Sequence, residues 1–190
     1  MYPGITVCMA SIPPRMVLRG RALASVNAQT KQPAAVSVAI DTERLGAPAT
    51  RQRALDAVQT EWVAFLDDDD FFKPNHLEAC FKHAEDTGAD FVYSWFDVLG
   101  GVDPFPPGHF LNPFNPEDPI ETTITTLVRT ELAKEVGFKA LDRGHNANTG
   151  EDRYFTLECL AKGAKISHLV EKTWVWAHHG KNTSGSPNKW

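Results

Sequence analysis

Trp62-Val63-Ala64-Phe65-Leu66 runs straight into Asp67-Asp68-Asp69-Asp70. Five apolar residues without alternation predict a strand covered on both faces. The four carboxylates then stand at that strand's carboxyl end. Adjacent carboxylates repel one another, so such a cluster is costly unless it is solvated or neutralised by a cation. Oxygen ligands of this kind suit hard divalent ions such as Mn²⁺ or Mg²⁺. In an open parallel sheet, ligands bind outside the carboxyl ends of the strands. A solvated acidic turn is the plain alternative, and the position after a buried strand favours the cation site over it.

Upstream, Ile5 to Ala10 predicts a first strand ended by Pro13 and Pro14. A helix is expected over 16–30, a second strand over Ala35 to Ile40 and a helix over 49–59. Downstream, Leu77, Phe81 and Ala84 repeat at helical spacing and Gly88 closes that helix. Phe91 to Phe96 predicts a fourth strand. Strands alternating with helices are the mark of a mostly parallel sheet with covered faces. Residues 100–119 are rich in Gly and Pro and predict a long loop. After it come a strand over 124–128, a short helix from Thr130 to Val136, a polar loop over 145–150 and a helix over 151–162. Two strands are expected near 166–170 and 173–177, then a mobile tail from about Gly180.

The 190 residues carry 42% hydrophobic and 23% charged side chains, which suits one globular domain and excludes disordered, collagen-like and coiled-coil classes. A formal net charge of −5 disfavours a broad electrostatic grip on nucleic acid or an anionic membrane. Cys8, Cys80 and Cys159 lie far apart and read as buried thiols of a reducing compartment. No basic stretch followed by a long apolar run opens the chain, and no apolar run is long enough for a membrane span. A cytoplasmic protein with no transmembrane anchor is therefore expected. In that compartment the glycosylation triplet Asn182-Thr183-Ser184 carries no meaning.

Asp41, at the end of the second strand, can close a turn or accept hydrogen bonds from a base or ribose. At this point the chain resembles glycosyltransferases of the GT-A fold, most closely family 2. Ile5 to Arg15 resembles the family's first strand with its Arg-containing loop. Ser25-Val26-Asn27-Ala28-Gln29-Thr30 is similar to its S-V-x-x-Q-T helix end, and Val38-Ala39-Ile40-Asp41 to its second strand with a nucleotide-binding aspartate. Arg51-Gln52-Arg53-Ala54-Leu55 resembles the A-R-N-x-G/A-L helix, with Gln where Asn is usual. Phe65 to Asp70, with Pro74 and Leu77, is similar to F-L-D-x-D-D…P…L. Gly150-Glu151-Asp152 resembles the later E-D motif, and His179 to Ser184 the terminal H-x-x-N-x-S. The usual second aspartate after strand two is Thr42 here.

The resemblance implies a Rossmann-like, mostly parallel sheet with helices on both faces, in a single domain over 1–190. Residues 1–99 would form the nucleotide-sugar half and 100–190 the acceptor-side and catalytic half. It implies transfer from a nucleoside-diphosphate sugar (a UDP-sugar first, a GDP- or dTDP-sugar as alternatives) to an acceptor hydroxyl, with Mn²⁺ or Mg²⁺ and with inversion. Donor contacts are implied for Ser11, Pro13, Arg15, Asp41, Arg51, Asp67 and Asp68. Metal ligation is implied for Asp69, Asp67, Asp70 and His179, with His178 as the rival of His179. The base is implied to be Asp152, with Glu151 as its alternative. Asp97, after the fourth strand, is placed to reach a sugar hydroxyl, and Trp95 with the Pro-rich loop offers an aromatic platform for a sugar ring. The acceptor stays open, and a second copy or a partner protein is one source of its recognition. The competing reading is a non-catalytic nucleotide-sugar or glycan-binding module on the same fold.

Overall fold

The computed structural model describes residues 2–103, 105–117, 119, 124–139 and 150–179. The polar stretch over 145–149 and the tail from 180, with the triplet at Asn182 and the H-x-x-N-x-S end, lie outside the described residues.

The chain follows the expected alternation. The elements are β1 (Tyr2–Ser11), α1 (Met16–Asn27), β2 (Ala35–Ile40), α2 (Ala47–Asp56), β3 (Thr60–Phe65), β4 (Phe71–Phe72) and α3 (His76–Thr87). They continue with β5 (Phe91–Leu99), β6 (Thr126–Arg129), α4 (Thr130–Val136), α5 (Glu151–Ala161) and β7 (Ile166–Ala177). Among the described residues the strands form one seven-stranded sheet in the order β2-β1-β3-β6-β5-β7-β4. β1 pairs in parallel with β2 and β3, and β5 with β7, while β6 runs antiparallel between β3 and β5 and β4 runs antiparallel to β7. Five strands therefore share one direction, as a mostly parallel sheet requires.

Helices cover both faces because β3 is apolar on both. Trp62, Ala64 and Leu66 pack with Ile5, Val7 and Met9 against Ala22 and Val26 of α1 and Leu77, Cys80 and Ala84 of α3. Val63 and Phe65 pack on the opposite side with Cys8 against Ala54 and Leu55 of α2, Ala133 and Val136 of α4, and Phe155 and Cys159 of α5. Phe65 meets Phe138 and Phe155 edge-on at 5.2 and 5.7 Å. Burying each such side chain contributes about 1.5–3 kcal/mol. α3 stops at Gly88, whose φ of +67° is the left-handed conformation expected of a helix-ending glycine.

Two details differ from the sequence reading. The segments near 166–170 and 173–177 are one strand, β7, whose pairing with β5 is irregular: Ser94, Trp95 and Phe96 face Leu169, Lys172 and Trp174, so the extra residues, Val170, Glu171 and Thr173, lie on β7. The Pro-rich loop holds a 3-10 turn over His109–Leu111. No described helix is long and apolar enough to cross a membrane.

Candidate active site

The acidic turn joins β3 to β4. Its backbone closes through the Asp70 N–H, which donates to the Asp67 carbonyl at 3.2 Å. The four carboxylates are held from several distant parts of the chain, with Arg15 shared by Asp68 and Asp69.

Asp68 is buried and accepts from Ser11 Oγ at 2.7 Å and from Arg15 at 2.8 Å. Ser11 ends β1 and itself accepts from Arg19 at 2.9 Å. Burial pushes the Asp68 carboxyl up from its ordinary range, and the bonds from Ser11 and Arg15 oppose that rise. Asp69 pairs with Arg15 at 3.0 Å and with His179 Nε2 at 3.1 Å. Asp70 accepts the N–H of Ala177, the last residue of β7, at 2.9 Å. Burial, with the charges of Asp67 and Asp69 added, pushes the Asp70 carboxyl up to about 9.

Asp67 pairs with Arg51 of α2 at 2.8 Å. Arg51 is 5% exposed and also pairs with Glu151 and, at 3.6 Å, with Asp152. Glu151 and Asp152 open α5, where the helix dipole favours carboxylates. Burial opposes the charge of Arg51, but the three carboxylates outweigh it and the guanidinium stays charged. One arginine thus ties the acidic turn to the E-D pair. Removing it by Arg51→Met strands three acids beside a buried site. Loss of one partner from a buried pair costs about 3–5 kcal/mol, and the partial exposure of these acids lowers the expectation to about 2–3 kcal/mol, read by urea denaturation.

One carboxylate oxygen each from Asp67, Asp69 and Asp70 lies within 4.8 Å of the others. Three hard oxygens at that spacing fit a divalent cation such as Mn²⁺ or Mg²⁺. His179 stands beside this set through Asp69. His178 turns elsewhere: its ring lies 4.4 Å from that of Trp176, and its N–H donates to the Leu99 carbonyl at 2.8 Å. The approach is close, since a Cβ on Gly100 would fall 2.5 Å from the His178 carbonyl oxygen.

The remaining expected residues stand as follows. Pro13 is exposed in a 3-10 turn beside Arg15. Asp41 is buried and accepts the N–H groups of Leu45 and Gly46 at 3.0 and 2.8 Å. Burial works to raise its pKa, but these backbone bonds prevail and hold it low. Its carboxylate thus closes the turn between β2 and α2, while its own N–H donates to the carbonyl of Ser11, the partner of Asp68, at 2.8 Å. Asp97 is ion-paired with Lys73 at 2.7 Å and Lys172 at 3.4 Å. Trp95 is 2% exposed and stacks on Phe96 at 5.3 Å, so its ring is not an open platform. A cavity of about 530 Å³ does open beside it, lined by Tyr93, His109, Asn112 and Phe114 among others. Sequence reasoning passed over Lys73 and Lys172, which lack any pattern that marks them as partners of Asp97.

An acidic turn after the third strand of a mostly parallel sheet with covered faces defines the GT-A class of nucleotide-sugar-binding folds. The model of "Glycosyl transferase family 2" matches residues 21–142, and the chain belongs to that family. The match includes Arg51 and the acidic turn; Ser11, Arg15, Glu151, Asp152 and His179 lie outside it. Among solved structures the chain is similar to S. aureus TarS 1–349 in complex with UDP-GlcNAc, with TM-score 0.77, 17% identity, and 98% of this chain and 61% of that one covered. It is similar to the same protein in complex with UDP (TM-score 0.73, 16% identity, 94% and 61% covered). A longer TarS structure gives TM-score 0.74 at 16% identity, with 94% and 37% covered. At these identities the likeness shows the fold. The chain spans less than two thirds of the length of these structures. No curated protein matches it.

Proposed function

We propose that this chain moves a sugar from a nucleoside-diphosphate sugar to an acceptor hydroxyl, with a divalent metal and with inversion. The observation that carries this reading is the Arg51 clasp, which joins Asp67 of the acidic turn to Glu151 and Asp152. Donor chemistry and a candidate base are thereby held in one frame. Asp67, Asp69 and Asp70 would hold Mn²⁺ or Mg²⁺, with His179 beside them, and the ion supplies Lewis-acid stabilisation of the leaving diphosphate. Asp68 orients Arg15 and Ser11 toward the donor, and Pro13 shapes that loop. Asp152 accepts the proton of the acceptor hydroxyl as the sugar is attacked. Arg51 favours its ionised form and fixes its direction, with Glu151 sharing the same guanidinium. Asp41 contributes by fixing the loop after β2.

Residues 1–99 form the donor half in this reading, and residues 100–190 the acceptor side. A UDP-sugar is the first donor to test, because the TarS structures carry UDP-GlcNAc and UDP; GDP- and dTDP-sugars follow. A second copy or a partner protein would complete acceptor recognition. Three buried free thiols support a reducing, cytoplasmic setting.

The test is a panel of nucleotide sugars with Mn²⁺, read by thermal shift and by release of the nucleotide. A ligand at a hundred times its Kd stabilises the folded state by about 2.7 kcal/mol. A shift with one donor class together with nucleotide release supports the reading. A shift without turnover in the presence of any acceptor supports the binding-module alternative, and no shift with any donor overturns both.

A further inference from the structure

The S-V-x-x-Q-T end of α1 has no part in the site as described so far. Two of its polar side chains, Ser25 and Gln29, reach the segment that follows the acidic turn. Ser25 Oγ accepts the Phe72 N–H at 3.0 Å and donates to the Ala22 carbonyl at 2.6 Å. Gln29 is 3% exposed, and its amide is fully used. Nε2 donates to the Lys73 carbonyl at 2.7 Å and to the Ser25 carbonyl at 3.1 Å, while Oε1 accepts the Leu77 N–H at 2.9 Å. The Thr30 N–H adds a bond to the Pro74 carbonyl at 2.8 Å.

β4 starts one residue after Asp70 and is two residues long. It is the last strand of the sheet among the described residues, with β7 on one side. Phe71 pairs with Val175 and Phe72 with Trp174, and the Lys73 N–H donates to the Thr173 carbonyl at 2.8 Å. On the other side its edge groups, the Phe72 N–H and the Lys73 carbonyl, are met by Ser25 and Gln29. These side chains do the work of a missing neighbour strand. A two-residue strand has too few ladder bonds to hold its own register. The register of β4 against β7 also decides where Ala177 meets Asp70 and where His179 meets Asp69, two and four residues beyond Val175.

We propose that Ser25 and Gln29 are positioning residues of the candidate metal site, setting the register of β4 against β7 and through it the geometry of Asp69, Asp70 and His179. The proposal rests on the metal-dependent reading above. It differs from a purely structural role in one respect: the loss should fall on ion binding beyond what a general loss of stability produces.

The experiment measures Mn²⁺ affinity of the full chain in the presence of UDP, by calorimetry and by the Mn²⁺ EPR signal, alongside thermal stability. Gln29→Glu keeps the size and the acceptor toward Leu77 but removes both donated bonds. Ser25→Ala removes the contact to Phe72, and Ser25→Thr restores a hydroxyl. Val136→Ala, in the opposite core layer, is the control for lost stability. Gln29→Glu and Ser25→Ala are each expected to weaken Mn²⁺ binding by about tenfold, within the range seen when partners behind metal ligands are removed. Ser25→Thr is expected to recover most of that loss, and Val136→Ala to bind Mn²⁺ as the parent does despite its lower melting temperature. Unchanged Mn²⁺ affinity in Gln29→Glu and Ser25→Ala, beside a parent chain that binds the ion, overturns the positioning role. So does an equal loss in Val136→Ala. A parent chain that binds neither Mn²⁺ nor UDP overturns the functional reading and this inference with it.

Discussion

Asp69→Ala is expected to remove sugar transfer, with a fall on the order of 10³ or more in kcat/KM, because the transition-state charge of the leaving diphosphate loses the ion that balances it. Asp69 is the carboxylate of the turn that both an arginine and a histidine reach. Arg15 and His179 both reach it, at 3.0 and 3.1 Å, and it belongs to the triad of acids within 4.8 Å. The same variant should lose Mn²⁺ binding by calorimetry. It should also keep its fold, since the side-chain partners of Asp69 are Arg15 and His179, and Arg15 retains Asp68 when Asp69 is gone. Transfer that persists unchanged in Asp69→Ala would rule out the metal assignment, whatever the donor.

Asp152→Asn tests the other end of the Arg51 clasp. A base that takes the acceptor proton contributes about 10²–10⁴ in rate, so kcat is expected to fall by that factor. Donor and Mn²⁺ affinities should stay close to those of the parent, because the acidic turn keeps its partners and Arg51 keeps Asp67 and Glu151. That split between turnover and binding separates the base from a residue that only supports the helix start. If turnover is untouched in Asp152→Asn and lost in Glu151→Gln, the neighbouring acid holds the role instead. A parent chain without turnover, but with normal donor binding, is the binding module.

Much of this arrangement could be read from the chain itself, for physical reasons that differ from place to place. β3 was legible because a strand buried on both faces must be apolar throughout, and the aspartates were conspicuous because four like charges follow it without a break. α3 was legible from its repeat and from Gly88. β4 was not, because two residues are too few for any period to show. The place of β6 between β3 and β5 was also hidden: Thr126 to Arg129 reads as a strand, but which neighbours it takes is decided by tertiary packing. The site shows the same division. Asp67, Asp69, Asp70 and Arg51 stand in local patterns. The clasp from Arg51 to Glu151 spans a hundred positions, and no spacing rule links the two. Asp41 had two readings at the outset; its bonds to Leu45 and Gly46 show the turn role, and its donor contact stays a proposal.

β4 carries a consequence for how the molecule comes together during synthesis. Its only strand partner among the described residues is β7, so it cannot pair until residues 173–175 have been made and docked on β5. Asp70 then waits for Ala177 across 107 positions, and Asp69 for His179 across 110. Contacts of such sequence separation close late, after the local βα units have formed, because the entropy of closing the loop must be met first. A nascent chain is therefore expected to present the four aspartates as a hydrated, open turn on a partly built sheet, and to gain the geometry of the candidate metal site late in folding.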